Sequence, residues 1–171
     1  PGSGGTITNV TDINGRTPAI ALNNATNVSL EDMILGNPAA VANNIAEQNN
    51  NISGPGIISN GVNNLTLTRC LISETGASGI EGGAGNVNLN ISDCRFIDCG
   101  DEVTEDVIDY EDRNNTNGDQ LTGVATLTNC TVADSFGAAL AVENFGAGTL
   151  NLTLNNVTIS VAQNDGVATL V

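Results

Sequence analysis

Asn64-Leu-Thr-Leu-Thr-Arg-Cys-Leu-Ile72 is one version of a nine-residue pattern that returns along the whole chain. The other clear versions are Asn27-Val-Ser-Leu-Glu-Asp-Met-Ile-Leu35, Asn88-Leu-Asn-Ile-Ser-Asp-Cys-Arg-Phe96, Val124-Ala-Thr-Leu-Thr-Asn-Cys-Thr-Val132 and Asn151-Leu-Thr-Leu-Asn-Asn-Val-Thr-Ile159. A weaker one opens the chain at Gly4-Gly-Thr-Ile-Thr-Asn-Val10. Taking Leu67 as the anchor, apolar residues stand two before it, at it, and three and five after it. That is period two on either side of a one-residue phase shift. Two short strands joined by a bend, both facing one interior, produce this pattern, and a helix does not.

The anchors are Ile7, Leu30, Leu67, Ile91, Leu127 and Leu154, spaced by 23, 37, 24, 36 and 27 residues. Each short spacing suits one coil of a solenoid, and each long one a coil with an insertion of about ten residues. A further strand precedes most copies, at Ala19–Leu22, Gly56–Ile58, Gly79–Ile80, Ala138–Val142 and Gly166–Val167. The order Gly-Ile, turn, Asn-Leu-Thr-Leu-x-x-Cys-x-Ile resembles the right-handed parallel β-helix repeats of the pectin-lyase-like superfamily, over nearly the whole chain. The resemblance implies an all-β, right-handed parallel β-helix and is silent on function. The whole of residues 1–171 then forms one solenoid domain of about six coils, rising roughly 29 Å at ~4.8 Å per layer. Stacking puts Leu30, Leu67, Ile91, Leu127 and Leu154 on one ladder. Met33, Cys70, Cys94, Cys130 and Val157 share another, and Asn27, Asn64, Asn88 and Asn151 an amide ladder at a turn.

Composition narrows the function. Four Arg and no Lys oppose 19 acidic residues, for a net charge of −15. Nucleic acid is excluded as a partner, because phosphate binding needs clustered basic residues. Membrane insertion is not expected, since no apolar run approaches ~18 residues. Without His, Ser-His-Asp and Cys-His catalysis are excluded.

The ends show no evident cap. Read as a junction, Gly166–Val171 followed by Pro1–Ile7 resembles one coil. Seventeen residues follow Leu154, so Ile7 of a following unit would stand 24 positions on, an ordinary coil spacing. Thr6, Ile7, Val10, Val167, Thr169, Leu170 and Val171 are therefore the expected self-association residues. The partner is a copy of the chain or the neighbouring coils of a longer one.

Two insertions interrupt the repeat, at about 36–53 and 100–120. In the first, Ala39–Gln48 has the composition of a surface loop with a helical turn or two. The second carries Asp101, Glu102, Glu105, Asp106, Asp109, Glu111 and Asp112, a density of carboxylates that suits Ca²⁺ without the spacing of an EF-hand. The plain alternative is a solvated acidic loop. No other cofactor is implied.

Relatives of the fold include polysaccharide lyases and glycosidases. The best catalytic candidate is Arg69 with Arg95 in the adjacent coil, near Asp93 and Asp98, and surface charge pairing explains the same residues. Sugar binding favours aromatic platforms, and only Phe96, Phe136, Phe145 and Tyr110 are present, Phe96 at a core position. Cys70 and Cys94 align in adjacent layers, as free buried thiols or as one disulfide. Asn-x-Ser/Thr triplets arise from the repeat itself, and Asn51 and Asn114, in the insertions, are the accessible candidates for glycosylation. These readings converge on an extracellular or cell-surface structural segment (fibre, stalk or adhesin), with a host surface or a glycan as its further ligand, and with a carbohydrate-active enzyme or glycan-binding domain as the alternative.

Overall fold

The computed structural model describes residues 6–7, 17–40, 52–100, 105–111, 118–162 and 167–170, with 6–7, 161–162 and 167–170 as backbone alone. These residues form three parallel sheets and no helix. Strands are numbered along the chain. Sheet A contains β1 (Thr6–Ile7), β4 (Ile34–Leu35), β7 (Leu71–Thr75), β10 (Arg95–Cys99), β13 (Thr131–Ser135) and β16 (Thr158–Ala162). Sheet B contains β2 (Ile20–Asn23), β5 (Ile57–Asn60), β8 (Ile80–Gly82), β11 (Ile108–Tyr110), β14 (Leu140–Glu143) and β17 (Val167–Leu170). Sheet C contains β3 (Thr26–Glu31), β6 (Asn63–Thr68), β9 (Asn86–Ser92), β12 (Leu121–Thr128) and β15 (Leu150–Asn155). From β2 to β16 the chain visits B, C and A in turn, the path of a parallel β-solenoid.

The phase shift in the repeat has a local cause. Between each sheet C strand and the next sheet A strand sits one left-handed residue: Asp32, Arg69, Asp93, Asn129 or Asn156, at φ 54, 53, 54, 53 and 52°. One αL residue turns the chain through a corner and resets which side faces inward. Asn and Asp tolerate that region better than Arg.

The ladders form as the repeat implies. Leu30, Leu67, Ile91, Leu127 and Leu154 are in register on sheet C. The central members are fully buried. The amide ladder is shorter than expected. Asn88 Nδ2 donates to Asn64 Oδ1 at 2.7 Å and Asn64 Nδ2 to Asn27 Oδ1 at 2.8 Å. Val124 then takes the next place, its N–H bonding Asn88 Oδ1 at 2.8 Å, so Asn151 is cut off. A register shift between Thr122 and Ala125, at the left-handed Gly123 (φ 82°), marks this break.

Two expectations are corrected. Ile7 pairs with Leu35 in sheet A, not with Leu30 in sheet C. It continues the ladder Leu35, Ile72, Phe96, Val132, Ile159. Twelve residues follow Ile159, so on this ladder the junction spans 19 positions, short of the 24 between Ile72 and Phe96. The spacing match at the ends therefore falls away, because a two-residue Thr-Ile strand fits sheet A as well as sheet C. The second correction concerns the 100–120 insertion, which contains the sheet B strand β11. Ile108 and Tyr110 join the core while Asp109 alternates outward, and the surrounding acids masked that strand in the sequence.

Tyr110 shows how β11 locks in. Its ring lies over Gly82, where any side chain would collide with it, and its hydroxyl meets Ser59 Oγ at 3.1 Å. Burial pushes the phenol up to about 12 despite the Ser59 hydrogen bond. The described start of the first insertion, Gly36–Ala40, is a turn without helix, and Gln48 lies outside the described residues. Ala40 packs on Ile97 and Ala133, on the outer side of sheet A.

Candidate functional site

The second insertion gathers part of the expected cation site. Ligand oxygens of Asp106, Asp109 and Glu111 lie within 4.8 Å of one another. Strand β11 and the turn before it position them. Asp106 accepts the Ala138 N–H, and Asp109 Oδ1 accepts the Glu111 N–H at 2.9 Å. Ser78 Oγ donates to Asp109 Oδ2 at 3.5 Å. Asp106 and Asp109 are buried, and Glu111 is half-buried. Hard oxygen donors suit Ca²⁺, but three carboxylates are fewer than its usual six to eight ligands. Each of the three already has further hydrogen-bond or electrostatic partners, so the group does not require an ion. Glu105 is buried beside them in sequence without joining the group. Asp101, Glu102 and Asp112 lie outside the described residues, as do Asn51 and Asn114.

An acidic ladder escaped the sequence reading. Glu74, Asp98 and Asp134 occupy equivalent left-handed positions on β7, β10 and β13, at φ 53, 57 and 56°. Each stands seven residues after its anchor, and that shared offset was the available signal. Glu74 Oε1 accepts from Asn37 Nδ2 at 2.5 Å. Asp134 is buried with its Oδ1 unpartnered.

Arg69 turns away from the layer that carries Arg95. Arg69 points back one layer to Asp32, with Nε–Oδ1 at 2.6 Å and Nη2–Oδ2 at 2.9 Å, and reaches Glu31 at 3.5 Å. Its hydrogen bond holds the Asp32 carboxyl below its ordinary range. Surface pairing thus accounts for Arg69. All four cysteines are buried free thiols, and no Cys70–Cys94 bridge is closed.

The sheet ends contrast with the middle. Among the described strands, β1, β2 and β3 at one end and β15, β16 and β17 at the other have one bonded neighbour each. Thr6 and Ile7 lie on β1, and Val167, Thr169 and Leu170 on β17, while Val10 and Val171 lie outside the described residues.

The outer face of sheet C differs again. Its outward ladders read Ser29, Thr66, Asn90, Thr126, Thr153 and Glu31, Thr68, Ser92, Thr128, Asn155. In a chain of charge −15, Glu31 is the one charge on these two ladders. The break at Gly123 opens a shallow groove of about 420 Å³ there, lined by Asn64, Thr66, Asn88, Asn90, Val124 and Thr126. No described helix is long and apolar enough to cross a membrane. No family model matches this chain, and neither does any curated protein or solved structure.

Proposed function

We propose that the chain is a structural segment of an extracellular or cell-surface solenoid, part of a fibre, stalk or adhesin, whose axial ends pair with further layers. The observation that carries this reading is the exposure of the end rungs. Leu67, Ile91 and Leu127 are 0, 0 and 2% exposed, whereas Leu154 on the same ladder is 40% exposed. Leu30, Met33, Leu150, Leu152, Val157 and Ile159 are likewise only partly covered. Partly covered aliphatic rungs, on strands with one bonded neighbour each among the described residues, favour adding another layer. The ends are also stepped. β1 stands beyond the last complete layer in sheet A at one end, and β17 in sheet B at the other. The two overhangs occupy different sheets, so a following unit would meet no strand already in its place. A right-handed coil and a count of about six, as in pectin-lyase-like repeats, belong to the same reading.

Negative-stain electron microscopy and sedimentation test it. Filaments that disappear in a Leu154→Glu variant are the expected result. Uniform short particles at every concentration, unaffected by Leu154→Glu, would overturn self-stacking.

A second reading, a glycan-binding face, is favoured by the uncharged hydroxyl and amide ladders around the sheet C groove. Neutral sugars offer matching hydroxyls without charge repulsion. Binding to a neutral glycan array that weakens in Asn90→Asp would support it, and an array with no signal would rule it out.

A further inference from the structure

Cys70, Cys94 and Cys130 stand in three consecutive layers. The Arg95 N–H bonds the Cys70 carbonyl at 2.9 Å, and the Thr131 N–H bonds the Cys94 carbonyl at 3.0 Å. Parallel layers ~4.8 Å apart lie within the Cα separation that a disulfide spans. Cys94 Sγ accepts the Cys70 N–H at 3.3 Å. The neighbouring Cys94 thiol pulls Cys70 down to about 6, and Cys70 in turn pushes Cys94 up. Cys70 Sγ donates to the carbonyls of Thr68 and Leu30, both at 3.4 Å, and Cys130 Sγ to the equivalent carbonyls of Thr128 at 3.3 Å and Ile91 at 3.6 Å. Cys99 lies on another ladder and donates to the Ile72 carbonyl at 3.6 Å. Its thiol is raised to about 12 by burial. Cys94 Sγ therefore lies against the Cys70 backbone one layer back, and Cys99 stands on another ladder.

We propose that Cys70 and Cys94 are a redox pair that closes, in an oxidising compartment, into a disulfide clamp between adjacent layers. The Cys70 thiolate attacks the sulfur of a disulfide oxidant, such as glutathione disulfide, and releases one thiolate from it. Cys94 then loses its proton and attacks Cys70 Sγ in the mixed disulfide, which releases the second. Two protein thiols become one disulfide, and the oxidant becomes two thiols. With Cys70 and Cys94 4% and 1% exposed, exchange takes place while the layers are still closing. The clamp joins the two layers that follow the first insertion. It holds them by a covalent bond wherever the end rungs are pulled.

The arginines make the test clean. Trypsin cleavage after Arg69, Arg95 and Arg113 places Cys70 and Cys94 on peptide 70–95, Cys99 on 96–113 and Cys130 on 114–171. The unfolded protein is refolded in a glutathione redox buffer, alkylated with iodoacetamide, digested and weighed. The expected product is peptide 70–95 unalkylated and lighter by two hydrogens, with Cys99 and Cys130 alkylated. Adding reductant should lower the melting midpoint by on the order of 5 °C. Cys130→Ala should retain the bridged peptide and Cys94→Ala should lose it. Four alkylated cysteines in the refolded wild type, or a bridge joining 70–95 to 114–171, would overturn the proposal.

Discussion

Leu127 and Leu154 are the same residue, on neighbouring strands, at the same place in the repeat, yet one is 2% and the other 40% exposed. Packing in this solenoid is therefore axial. A side chain is buried by the layers above and below it as much as by the strands of its own layer. A middle rung has both neighbours, and an end rung has one. The difference teaches that a repeat residue's contribution depends on its layer more than on its type.

The comparison breaks first at the aliphatic ladder. Ile91→Ala should cost about 3–4 kcal/mol by guanidinium denaturation, since it empties a fully enclosed site. Leu154→Ala should cost under ~1 kcal/mol in the unassembled chain, because much of its surface then meets water, and more wherever filaments form. Equal costs in the unassembled chain would show that Leu154 is covered there without end-to-end pairing.

A smaller effect separates the middle by pH. Tyr110 holds its proton until about 12 when folded, above its ordinary value of 10.0. Below pH 10 the native and unfolded forms bind that proton alike. From pH 10 to 12 the unfolded chain releases it and the native protein does not, so stability falls as pH rises. The loss should be on the order of 2 kcal/mol. Tyr110→Phe should flatten that part of the curve, and an unchanged slope would assign the loss to other groups.

The smallest contrast lies in the amides. Asn88 donates to Asn64 and accepts from Val124, so Asn88→Ala should cost about 1–2 kcal/mol. Asn151, exposed beyond the break, should cost less than ~0.5 kcal/mol when replaced by Ala. Similar losses at both would mean that the ladder resumes past Val124.

Much of the fold was legible because alternation is local. Leu65 and Leu67 face inward for the same reason that Thr66 and Thr68 do not, and the one-residue phase shift at Arg69 is the αL corner itself. Strand β11 was illegible because its inward Ile108 and Tyr110 are separated by Asp109, within a stretch whose charge argues for a loop. Of the expected cation ligands, Asp106, Asp109 and Glu111 are brought together. Nothing in their spacing separates them from Glu105, because the turn before β11 selects which carboxylates meet. The ladder Glu74, Asp98, Asp134, buried at Glu74 and Asp134, was hidden by its chemistry, since acids at a repeat corner read as solvated.

By itself the sequence determined what repeats locally: strands, their inward faces, and ladders of Leu, Cys and Asn that follow once layers stack. Only the tertiary structure decided which strand lies against which at the irregular places, putting Ile7 on Leu35 and β11 within sheet B. The physical reason is that a period-two pattern records which side of a strand is buried. The neighbour that buries it is set by how much chain the insertions loop out between layers, and that length leaves no mark on the pattern.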